Sequence, residues 1–335
     1  MPSPRHNTYA LLARLWLAEI DAPLADTLRG LPGFAEHTPP TADPDWLDEM
    51  AAEYARVLTQ NVYPYESVFL GDDLMLNTDV TYRVEDLYNL AGFVPEGARV
   101  AAPDHLGVEL LFMAHLIALE EDGRAPEPAR RRQTRFLAEH LARWAPICAL
   151  TVARLTPHLI YHALAQLTWE LVLADTPLTP LPPLPFWERG GRQQTVENLS
   201  PPFPTEWGKG PGDEGRTAAE PESLGQVVRT LLTPARVGVF LCRGDMRRIG
   251  QALGLPTPLG DRFATLRALF EAAAQFDLLP ALLDALDALW LDADAQIAAL
   301  MAAAPTWSLY GREWRERLAA GQALMAKIRE AHNSP

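Results

Sequence analysis

A chain of 335 residues that is 48% apolar and 21% charged has the composition of a soluble globular protein of about two domains. Asp and Glu outnumber Lys and Arg by 43 to 29, a net charge of −14, which speaks against nucleic acid or anionic lipid as partner and suits a basic peptide, although acidity also serves solubility by itself. Cys148 and Cys242 are too far apart for a zinc-ligand or CxxC pattern and cannot staple a chain this long, so the expected compartment is the reducing cytoplasm.

The first apolar stretch, residues 11 to 20, carries Arg14 and Glu19 and so lacks a signal-peptide core. From residue 9 to 174 apolar residues recur at helical spacing and alternating β-branched runs are scarce, so the expected fold is all-α. Asp43 before Pro44 marks a helix start, with Trp46, Leu47, Met50, Tyr54, Val57 and Leu58 on one face and an end near Asn61. Residues 81 to 91 form a shorter helix that Gly92 stops.

The next helix is expected to begin at Asp104, capped by that carboxylate, and to run to Gly123 with Leu106, Leu110, Met113 and Ile117 as its buried stripe. Only its first turn is polar, where His105 and Glu109 share a face. Pro126 opens a helix through Phe136, Leu137, His140, Leu141 and Trp144 that Pro146 interrupts, and Pro157 starts another that runs to residue 174.

Residues 176 to 223 are dense in proline and glycine and read as a linker or long loop, with Trp187, Phe203 and Trp207 able to dock on the first helical block. Helical periodicity resumes at Leu224, with a start at Thr233 and Pro234, stops at Gly254 and Gly260, and a core stripe of Leu282, Leu286 and Leu289. The expected division is therefore residues 1–175, a linker at 176–223, and a smaller helical region at 224–335. The longest uncharged run, residues 295 to 311, is broken by Pro305 and falls short of the roughly 20 apolar residues of a membrane span.

Chemistry is sparse. Ser67 and Ser200 lack a nucleophile elbow, and neither a phosphate-binding glycine loop nor a dinucleotide fingerprint occurs, so neither catalysis nor a cofactor is expected. His158 and His162 lie four apart without a third ligand and read as ordinary core or surface histidines, and nothing in the spacing brings His140 to His105 and Glu109. The start of the helix at Asp104 and His105 remains: free backbone N–H groups and polar side chains there meet an apolar face, an arrangement suited to a peptide that is polar at one end and apolar at the other.

Three ordered motifs carry a resemblance. They are Tyr63, Pro64, Tyr65, Glu66, Ser67 and Val68; Pro103, Asp104, His105, Leu106 and Gly107 with Glu109, Leu110, Phe112 and Met113 after them; and Phe136, Leu137, His140, Leu141 and Trp144. In these the chain resembles the TorD/DmsD family of redox-enzyme maturation chaperones, all-helical cytoplasmic proteins that bind the twin-arginine (Tat) leader of a molybdoenzyme. The resemblance implies a partner, the twin-arginine signal peptide and its apo-molybdoenzyme, shielded until molybdopterin is loaded and export follows. It also points first to Asp104 and His105 as site residues. Asp104, with Glu66 or Glu109, suits guanidinium groups. Tyr63, Tyr65, Phe69 and Trp144 suit the apolar part, and His105 adds a hydrogen bond or a pH-sensitive charge. Ser67 belongs to the same motif. Family members mostly end where the proline-rich segment begins, so residues 224 to 330 are an addition. Two other readings remain open, an all-α metal-dependent enzyme using His158, His162 and a carboxylate, and a stably bound assembly subunit of a redox complex; the oligomeric state expected is a monomer or homodimer.

Overall fold

The structure, a computed structural model, describes residues 2–72, 78–95, 101–123, 126–177 and 223–333. Among them every regular element is helical, and extended backbone pairs only in a single bridge between Tyr65 and His105. The first block contains α1 (Pro4–Leu17), α2 (Ala22–Arg29), α3 (Pro44–Tyr54), α4 (Glu66–Leu70), α5 (Asp79–Leu90), α6 (Leu106–Glu121), α7 (Pro126–Phe136), α8 (Ala142–Leu155) and α9 (Leu159–Asp175). The second contains α10 (Leu224–Leu231), α11 (Pro234–Val237), α12 (Arg243–Leu253), α13 (Arg262–Gln275), α14 (Leu279–Ala303) and α15 (Ser308–Asn333). The all-α expectation is met, and no helix among the described residues is long and apolar enough to cross a membrane.

Local signals explain many boundaries. Asp43 Oδ1 accepts from Trp46 N at 2.9 Å and Pro44 occupies the first turn of α3, which a π turn over Ala55–Thr59 prolongs. Gly92 and Gly123 take left-handed φ values of +64° and +66° just beyond α5 and α6. The central helix is α6, apolar on nearly every side, with Leu106, Val108, Leu110, Met113, Leu116 and Ile117 buried. It lies against α1 at Gly107, where a Cβ would stand 2.5 Å from Leu17 Cγ and 3.0 Å from the Ala13 carbonyl oxygen, so only glycine permits that approach.

Pro146 does not interrupt its helix, contrary to expectation; α8 runs through it. A π turn over Leu137–Leu141 joins α7 to α8, and proline's missing N–H leaves the Ala142 carbonyl, four residues back, without a helical donor. The second block supplies one. Trp307 Nε1 donates to the Ala142 carbonyl at 2.7 Å, Trp314 Nε1 to that of Arg143 at 2.6 Å, and Tyr310 Oη to that of Ala138 at 2.9 Å. The irregular backbone of α7 and α8 is thus the seat on which the start of α15 is fastened, and one hydrophobic core runs through both blocks.

Within the second block Gly254 closes α12 in the left-handed conformation as expected, at φ +66°. Gly260 does not end a helix. It precedes Asp261, whose Oδ1 accepts from Ala264 N at 2.7 Å and caps α13. Leu282 and Leu286 are fully buried and Leu289 packs at the edge of the core. Nearly all of the proline-rich stretch, with Trp187, Phe203 and Trp207, lies outside the described residues.

Candidate functional site at the junction of α4, α6 and α8

Helix α4 starts at Tyr65 with no side-chain cap of its own. The cap comes from 37 residues further along the chain: Asp104 Oδ2 accepts from Ser67 N at 2.9 Å, and the Asp104 carbonyl accepts from Glu66 N at 2.9 Å. Asp104 therefore does not cap α6, as its position suggested. His105 does, with Nδ1 accepting from Gly107 N at 3.0 Å. That bond makes Nδ1 the unprotonated nitrogen, and burial pushes the imidazole down to about 4. His105 is a neutral cap, with the Tyr65 ring edge-on at 5.0 Å.

Behind this pair lies a buried acid–imidazole cluster. His140 Nδ1 is 2.8 Å from Glu66 Oε2, and Trp144 Nε1 donates to Glu109 Oε2 at 3.2 Å. The Glu66 and Glu109 carboxyls are hydrogen-bond neighbours. Burial first, then the charge of Glu66 and its hydrogen bond, then Asp104, push Glu109 well above the carboxylate range and favour its neutral acid. Asp104 Oδ1, Glu109 Oε1 and Ser67 Oγ are buried without a hydrogen-bond partner among the described residues. Tyr88 closes the junction from α5, its hydroxyl donating to the Pro103 carbonyl at 2.8 Å.

The three sequence motifs do converge on one place, but not as an open mouth. Asp104 and Glu109 are 0% exposed, Glu66 2% and His105 7%; Ser67, Phe69 and Trp144 are likewise buried. Asp104 and His105 are walled in by their own chain, so neither stands where a guanidinium from outside can reach it. Tyr63 and Tyr65 alone of the nine expected residues are half-buried. His105 and Glu109, placed on one face by their spacing, turn to Gly107 and Tyr65 on one side and to Trp144 and Glu66 on the other.

The expected aromatic wall is largely assembled, and it is occupied. Phe69 lies 5.5 Å from Trp144. On Phe69 stacks Phe240 of the second block, centroids 5.2 Å apart at 19°, with Tyr63 edge-on to Phe240 at 6.3 Å. The Arg262 guanidinium sits 4.0 Å from the Phe240 ring centroid. Sequence reasoning assigned no role to Tyr88, Phe240 or Arg262, because nothing in their local spacing marks them.

His158 caps α9, Nδ1 accepting from Ile160 N at 3.3 Å, whereas His162 is exposed. Among the described residues no three His, Cys, Asp or Glu side chains are grouped to hold a metal ion. A cleft of about 440 Å³ beside His158 is lined by Glu49, Ala52, Glu53, Arg56 and Pro157, with Glu53 engaged by Arg56 and Thr156.

Fold and junction together define an all-helical protein organised around a buried acid–imidazole cluster that ties three helices. Residues 17–149, the segment containing all three motifs, match the family described as nitrate reductase delta subunit. The chain is also similar to proteins named "Chaperone protein TorD" from three strains of Vibrio cholerae serotype O1, at 26% identity over 134 residues. The aligned part is 38% of this chain and 60% of each relative's length. No solved structure matches the chain significantly.

Proposed function

We propose that the chain is a non-enzymatic maturation chaperone for a molybdopterin oxidoreductase, holding the client's twin-arginine leader and apo-enzyme in the cytoplasm until the cofactor is inserted. The observation that carries this reading is the convergence of residues 63–69, 104–109 and 140–144 on one junction inside the family-matched segment. In this reading the first block, residues 1–175, binds the leader and the second, residues 224–335, covers the site.

The buried residues act by position. Asp104 locks α4 to the start of α6, and the Glu66, His140, Glu109 and Trp144 contacts lock both to α8 and the π turn before it. Direct contact with a peptide falls to Tyr63 and Tyr65, whose rings pair an apolar body with a polar tip. The net charge of −14 draws a peptide that opens with two arginines and continues apolar.

Calorimetric titration of the full chain with synthetic leaders from molybdoenzymes tests the proposal. Binding at micromolar or lower Kd is expected, weakening as salt is raised. Changing both Tyr63 and Tyr65 to alanine should weaken it about tenfold, the scale of one or two lost aromatic contacts, with helicity unchanged. No heat above dilution for any leader removes the reading. The family description favours a second reading, a subunit that stays bound to a redox complex; a partner that co-purifies in fixed stoichiometry through high salt would select it.

A further inference from the structure

The stretch that covers the junction is unlike the rest of the molecule. Between α11 and α12, Val239, Phe240 and Leu241 lie outside any helix and are buried, and among the described residues no backbone–backbone hydrogen bond involves any of the three. Two of their carbonyls are held by side chains instead. Arg154 Nη2 donates to the Phe240 carbonyl at 3.0 Å, and Arg262 Nε donates to that of Leu241 at 2.9 Å. A non-helical segment gripped through two of its carbonyls, with one aromatic ring sunk between other rings, is how a peptide ligand sits in a groove.

We infer that residues 239–242 are an internal ligand of the crevice formed by Tyr63, Phe69 and Arg262, and that its outside ligand is an extended peptide whose own aromatic residue replaces Phe240. The inference rests on the chaperone reading and adds how the site is regulated and which part of a leader it takes.

Two observations support displacement over permanent burial as core. The second block has attachments away from Phe240, since Trp307, Tyr310 and Trp314 fasten it to α8 and the preceding π turn. The internal segment also imitates the proposed client, since Arg236 and Arg243 bracket an apolar run of Val237, Val239, Phe240 and Leu241. Both Arg154 and Arg262 hold main-chain carbonyls, which any sequence offers, so the side-chain choice lies with the aromatic slot. A leader without an aromatic residue therefore leaves Phe240 in place.

Hydrogen exchange on the full chain, followed by mass spectrometry with and without a synthetic peptide of two arginines and an apolar run containing phenylalanine, tests this. The expected result is at least about a tenfold rise in exchange at the amides of residues 239–241 when peptide saturates the protein. The same peptide with alanine for phenylalanine should leave them protected. Phe240→Leu, which keeps apolar volume but not the ring, should tighten leader binding about tenfold. If the leader binds while these amides stay protected, the inference is overturned and the chaperone reading stands. If no leader binds, the chaperone reading falls and takes this inference with it. Should Phe240→Leu fail to fold, the exchange measurement on the unaltered chain decides.

Discussion

Trp307→Ala is expected to destabilise the protein by about 3–5 kcal/mol, the usual cost of deleting a large buried aromatic side chain. Trp307 is 0% exposed, and its indole satisfies a carbonyl that Pro146 has deprived of its helical donor. Two losses add, a cavity at the seam between blocks and an unpaired buried acceptor. Trp307→Phe separates them: most of the packing survives, the hydrogen bond does not, and a smaller loss of about 1–3 kcal/mol is expected. Denaturant unfolding followed by circular dichroism measures both. A loss below about 1 kcal/mol for alanine would mean that α15 is not seated on the backbone of α8.

The second large effect is expected at the acid–imidazole cluster. His140→Leu leaves Glu66 Oε2 buried without its nitrogen partner and beside Glu109, a change expected to cost about 3 kcal/mol or more. Adding Glu66→Gln removes the orphaned acid and should recover part of that loss, so the two substitutions are non-additive.

The pH dependence has two limbs. For His105 the folded state resists protonation, with a pKa near 4 against an ordinary 6.5, so the unfolded chain takes up more protons in that window. Stability is complete above about pH 6.5 and is lost as pH falls towards 4, by on the order of 3 kcal/mol. For Glu109 the sign reverses. Its folded pKa is raised, so its contribution is present below the ordinary carboxylate range and lost as pH rises through the folded value. Glu109→Gln, which can still accept from Trp144 Nε1, is therefore expected to raise the Tm on the alkaline side and leave the acid limb unchanged. Thermal melts of the two proteins between pH 4 and 9 check both limbs.

What was legible in the sequence was local. Asp43, Pro44, Gly92 and Gly123 act within about one helical turn, and they mark helix ends where the structure has them. The all-α class follows from periodicity in the same way, and the three motifs mark the residues that meet at the junction. Asp104 shows where local reasoning stops. A carboxylate before an apolar helix has the look of a cap, yet it caps a different helix through a contact spanning 37 residues. Pro146 marks the same limit, since whether a proline breaks a helix depends on what satisfies the freed carbonyl, and here the donor is Trp307. Spacing also cannot say what lies on top of a site. The polar first turn of α6 implied an open binding mouth, while the cover, Phe240 with Arg262, comes from a block outside the family-matched segment.

Locating a bound leader is the most direct test of the proposed function. A synthetic twin-arginine leader with a photoreactive benzophenone in its apolar run would be irradiated with the full chain and the linked fragments read by mass spectrometry. Crosslinks are expected on residues 63–69 and 239–242, at the crevice beside the buried cluster, and should vanish when unlabelled leader competes. Crosslinks confined to other surfaces, such as the cleft lined by Glu49, Glu53 and His158, or none that competition removes, would contradict it.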